Sequence, residues 1–176
     1  MKSILTIATL AAAALATGCG VTLSLHPLYT DKELASDLQL EGKWTDDDAK
    51  DIWVVRKDGN VYVATCPTDT DSEAIEMRLV RLGDHHFLDL TSKNTPSLAI
   101  PGHLFAKVSV AGDELQIQTM GSKWLEQKAR ETGFPYLELD KQVILTAPTP
   151  DVQKFVLLHA GEPDAFEDAE RLHRVR

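Results

Sequence analysis

From Gly42 onward, apolar and polar residues alternate in short runs broken by turn residues. A period of two is the signature of half-buried strands, so this chain is committed to sheet over most of its length. Ile52 to Arg56 and Val61 to Cys66 flank Asp58-Gly59, a hairpin signal because glycine reaches positive φ without strain. Ile75, Met77 and Leu79 fall on one side of the next run, and Gly83-Asp84 starts the turn before Phe87 to Leu90. Leu104, Ala106, Val108 and Val110 alternate, Ala111-Gly112-Asp113 turns, and Leu115, Ile117 and Thr119 alternate back. Gln142 to Thr146 is a further run. About seven strands joined by tight turns predict a mainly β fold, α+β at its edges. An antiparallel meander forming a small barrel or half-barrel fits this pattern, and an open sheet backed by helices is the alternative.

Two short helices in the C-terminal half interrupt the strands. Ser122 is placed to cap one through Thr132, stopped by Gly133. In the other, Thr149 is the expected N-cap, Pro150 opens the first turn, Asp151 complements the helix dipole and Gly161 ends the run. Val152, Phe155, Val156 and His159 share one face of it, with His159 at the boundary. Thr30-Asp31-Lys32-Glu33 is a capping box that predicts a short helix through Asp37, and Glu162 to Leu172 predicts a short acidic one.

The N-terminus has a different character. Lys2, the apolar run Ile4 to Ala16, and Thr17-Gly18-Cys19 form the three parts of an export signal. The run is shorter than the roughly 20 residues needed to span a bilayer. Leu15-Ala16-Thr17-Gly18-Cys19 resembles the lipobox of bacterial lipoproteins, although that family usually has Leu three residues before Cys, where this chain has Ala16. The resemblance implies cleavage of residues 1–18, acyl chains on Cys19 and membrane attachment through them. With Gly20 rather than Asp after Cys19, it also implies outer-membrane sorting, on the inner leaflet facing the periplasm. Residues 19–40 are then expected to be a lipidated tether and residues 41–176 a single globular domain.

Composition agrees with this address. The chain has two cysteines; with Cys19 acylated, Cys66 has no disulfide partner and is expected to be a small buried residue at a strand end. The formal charge is −9, and removal of the signal takes away one basic residue, Lys2, and no acidic one. Such a domain repels nucleic acid and anionic lipid surfaces.

Gly42-Lys43-Trp44 resembles the Gly-x-Trp start of lipocalin-like barrels. The resemblance implies that Trp44 plugs the barrel base under a basic residue from the C-terminal region, Arg171 or Arg174, and that an apolar cavity binds the ligand. His26-Pro27-Leu28-Tyr29-Thr30, Leu40-Glu41-Gly42-Lys43-Trp44, Phe87-Leu88-Asp89-Leu90 and the run from Val143 to Thr149 resemble a group of bacterial lipoproteins of unassigned activity.

Metal and enzyme chemistry find little support. His85-His86 beside Asp84, with His103 later, offers imidazoles, but adjacent strand residues face opposite ways. Asp46-Asp47-Asp48 with Asp51, and Asp69-x-Asp71-x-Glu73, are oxygen-rich loops; the second has Ala74 and Val80 where a calcium loop needs Gly and Glu. No nucleophile elbow, zinc-helix motif, phosphate loop or dinucleotide fingerprint occurs, and Ser97 and Ser109 are near His103 only in sequence. The expectation is a non-enzymatic, membrane-anchored domain without cofactor or metal that binds an apolar small molecule or short peptide. The alternative is a structural envelope lipoprotein that docks on another protein through a sheet edge or the helix starting at Thr149. A hydrolase built on His103 and nearby acids is the third reading.

Overall fold

The computed structural model describes residues 23–67, 74–93, 102–139 and 142–176. Its strands are β1 (Leu23–Ser24), β2 (Gly42–Thr45), β3 (Ile52–Asp58), β4 (Val61–Thr65), β5 (Ile75–Leu82), β6 (His85–Ser92), β7 (Leu104–Ala111) and β8 (Glu114–Thr119). Helix α1 (Ser122–Thr132), β9 (Tyr136–Leu139), β10 (Gln142–Leu145), helix α2 (Thr149–His159), a 3-10 turn (Pro163–Ala165) and β11 (Glu170–Arg174) follow.

Strands β2 to β8 form an antiparallel meander, and β11 closes it by pairing with both β8 and β2. The result is a closed eight-stranded barrel of lipocalin-like form, so the open-sheet alternative is set aside. Three of its hairpins, β3–β4, β5–β6 and β7–β8, turn on two residues led by Gly59, Gly83 and Gly112, each with φ near +60°. The first of these loops is Gly59-Asn60, one residue later than the Asp58-Gly59 signal, because Asp58 still pairs with Val61.

Two cores result. Inside the barrel, Trp44, Val55, Tyr62, Met77, Leu79, Leu88, Ala106, Val108 and Leu115 pack with Leu40. Outside it, Val80, Leu82, Phe87 and Phe105 on the opposite sides of their strands pack under α1, α2 and β10. A three-stranded sheet, β1-β10-β9, completes that outer layer. Val152, Phe155, Val156 and His159 are the buried residues of α2, as the helical spacing requires.

Three expectations are corrected. The capping-box contacts of Thr30 and Glu33 exist, with Thr30 N–H donating to Glu33 at 2.8 Å, yet they close a turn and no helix follows. Leu34 instead bridges Val80, because the segment serves as an extra strand beside β5. The stretch from Glu162 to Leu172 is a 3-10 turn and then the barrel-closing strand. From Leu23 on, the expected tether belongs to the fold: β1 pairs with β10 and Leu28 is fully buried. Helix N-caps also shift by one, to Gly121 and Pro148, and Thr149 Oγ1 donates to Pro27 O rather than capping its own helix.

Candidate functional site

The barrel has two unlike ends. At the end holding the three glycine hairpins, Trp44 is fully buried and its indole N–H donates to Leu40 O at 2.8 Å. Register places Arg174 directly opposite Trp44, and its guanidinium carbon lies 4.2 Å from the ring centre. That guanidinium also donates to Gln39 O at 2.7 Å and to Glu41 O at 2.8 Å. Gly42 makes the stack possible: its φ is +141°, and a Cβ there would run into Arg174 Nη1. Of the two basic residues expected over Trp44, Arg174 takes the position. Arg171 sits on the outer, exposed side of β11, since alternation turns Glu170, Leu172 and Arg174 inward. Leu38 and Leu40 pack against the same core, so this end is sealed by side chains.

The other end is built from the start of β3, β7 and β11 and the end of β2. Trp53, Leu104 and Ile117 pack on the lumen core there but remain partly exposed. Glu170 pairs with Ile117 in register and shares the inward side of β11 with Leu172, a member of the lumen cluster. Burial, reinforced by the nearby Asp46 carboxylate, pushes the Glu170 carboxyl up to about 7. Asp46 Oδ1 is itself buried without a hydrogen-bond partner among the described residues. An apolar rim holding a desolvated carboxyl and, at Asp46, a buried acceptor without a partner among the described residues is costly for folding alone. The sequence points to neither Glu170 nor Asp46 as part of the lumen: Asp46 reads as part of an oxygen-rich loop, and Glu170 falls within the expected acidic helix.

The remaining candidates are scattered. His85 stacks edge-on to Phe87, whereas His86 binds the Asp37 carboxylate at 2.9 Å, so the pair diverges as strand geometry demands. His103 Nδ1 lies 2.7 Å from Oδ1 of the fully buried Asp89, whose Oδ2 accepts the Leu28 N–H at 2.7 Å. This dyad lies on the outer wall, where backbone bonds between His103 and Ser24 add to it, and it fastens the N-terminal segment to β6. Ser109 is exposed on β7, and Ser97 and the Asp69-x-Asp71-x-Glu73 loop lie outside the described residues, as does Cys19. His159 is not a boundary residue: it is buried between Trp124 and Phe155, 5.0 and 4.8 Å from their ring centres, with Glu162 at 2.8 Å. Cys66 is buried just beyond β4. Among the described residues no group of three His, Cys, Asp or Glu side chains is placed to hold a metal ion, and no helix is long and apolar enough to cross a membrane.

No protein-family model, curated protein or solved structure matches this chain.

Proposed function

We propose that this chain is an envelope lipoprotein, acylated at Cys19 and facing the periplasm from the outer membrane, whose barrel binds a small apolar molecule or the end of a short peptide. The observation that supports binding is the asymmetry of the barrel. One end is filled and sealed by Trp44 and Arg174, while the other leaves Trp53, Leu104 and Ile117 partly exposed around Glu170. A fully structural barrel gains nothing from leaving partly exposed apolar side chains and a desolvated carboxyl together at one rim. The filled half limits the ligand to the Glu170 end, so the site is a cup rather than a deep cavity. No catalytic role is assigned, because the Asp89–His103 pair lies away from the lumen and holds a backbone N–H.

Native mass spectrometry of the protein taken from its own envelope in mild detergent tests this. A co-purifying molecule that leaves on denaturation supports the binding cup and gives its ligand class. A bare mass moves the assignment to the interaction reading, which rests on different residues, the exposed Leu157 and Leu158 of α2.

A further inference from the structure

The three-stranded sheet turns an unusual face away from the body of the protein. Register aligns Leu23 of β1, Ile144 of β10 and Leu137 of β9 in one row, and Leu139 lies two residues further on the same side. Their neighbours Ser24, Leu145 and Val143 are buried on the opposite, inward side. Leu137 and Leu139 are 51% and 55% exposed, and Ile144 is partly exposed. The outward side of a surface strand is ordinarily polar, so this grouping asks for a covering partner. Glu138, the charged residue of β9, faces the other way, where Arg130 binds it at 2.9 Å. Tyr136, on that same side, lies under the Arg130 guanidinium.

Strand directions say what lies beside this face. Strand β1 runs parallel to β10, and β10 antiparallel to β9. The entering end of β1 is therefore the end of the sheet at which β9 finishes, beside Leu139. Cys19 precedes Leu23 by four residues. Four residues of chain reach at most about 14 Å, whatever their conformation. An acyl group on Cys19 thus keeps this sheet end within about 14 Å of its attachment to the bilayer, near enough for exposed side chains there to reach the interface. The net charge, −9 with the signal and more negative once Lys2 leaves with it, gives no attraction to anionic headgroups, so a surface contact has to be made by apolar side chains.

We propose that Leu137, Leu139 and Ile144 form a membrane-docking face that lies in the interfacial layer of the bilayer in which Cys19 is anchored. This rests on the lipoprotein reading and not on the ligand cup. The contact fixes the orientation of the domain, where the acyl chains alone leave it free to swivel.

The test uses the lipidated protein in phosphatidylcholine vesicles, with an environment-sensitive fluorophore attached in turn through Leu137→Cys, Leu139→Cys and Arg56→Cys. Arg56 is exposed on the outer side of β3, across the barrel from the helical layer, and serves as the reference. Both leucine positions are exposed, so the substitutions leave the packing intact. The expected result is a blue-shifted signal at 137 and 139 that drops severalfold when the lipid chains are brominated, with no change at 56. Labels at 137 and 139 that behave like the one at 56, on protein that floats with the vesicles, overturn the docking face and leave the anchor standing. A blue shift that ignores bromine and grows with protein density assigns the face to a second copy, which also overturns it. Protein that does not float overturns the lipidation and the docking face together.

Discussion

Arg174 reaches a segment far from it in sequence, contacting the Trp44 ring, Gln39 O and Glu41 O, and its Nε lies 3.9 Å from Asp113. A partly desolvated cation–π contact with two charge-assisted hydrogen bonds is worth about 2–3 kcal/mol together, allowing for non-additivity. Arg174→Ala is expected to lose that amount in chemical denaturation, while Arg171→Ala on the outer side stays within about 0.5 kcal/mol. Equal losses at the two positions contradict the assignment. Gly42→Ala displaces the same guanidinium, so combining it with Arg174→Ala should cost clearly less than the two single losses added. Glu170 makes a pH prediction with an unusual sign. Its carboxyl is raised by burial and by Asp46, so between about 4.5 and about 7 the folded state holds a proton that the unfolded state has released. Stability from this group is full below that window and falls as pH rises through it. Asp113, held low by its hydrogen bond from Arg176, acts in the opposite sense and loses stability only as pH falls through the acid range. Melting temperatures of Glu170→Gln against the parent protein check this. The gap should widen in favour of the variant from pH 5 to pH 8, and a constant gap contradicts a buried, titrating Glu170.

At the scale of elements, the sequence made the meander legible and hid its closure. Strands β3 to β8 are runs rich in apolar residues, alternating most regularly in β5, β7 and β8, and three of the hairpins between them turn on glycine, so both period and punctuation are visible. Strand β11 reads Glu-Arg-Leu-His-Arg, with one apolar residue on its inward side. Its inward positions are occupied by a buried acid and by the arginine that stacks on Trp44, so tertiary context replaced the apolar pattern that would have marked it. The residue over Trp44 is Arg174, and strand alternation, which turns Arg171 outward, is what selects it. Strand β1, two residues long, is fixed by distant partners rather than by propensity. The same is true of the segment after it, held by Asp89 through the Leu28 N–H and through His103. Asp89→Ala leaves that buried N–H unpaired and is expected to cost about 2–4 kcal/mol. Hydrogen exchange should show Leu28 losing protection first, and unchanged protection there would mean that the dyad does not hold the segment.

For the whole molecule, two cores share one set of strands, one within the lumen and one beneath the helices. This division gives the barrel a supported wall at β5 to β7 and leaves β2 and β3 on the opposite side. The acidic net charge is readable as a bulk property, since it does not depend on folding. The lumen rim was not readable. It depends on which of several acids is carried inward, and that is decided by register around a closed barrel.

Hydroxyl-radical footprinting of the tryptophans tests the one-ended barrel most directly, because Trp44 and Trp53 face each other in register within the same lumen yet differ in exposure. The expected result is oxidation of Trp53 with Trp44 spared. Oxidation of both would contradict the seal made by Arg174, and sparing of both would contradict the open rim on which the proposed ligand binding rests.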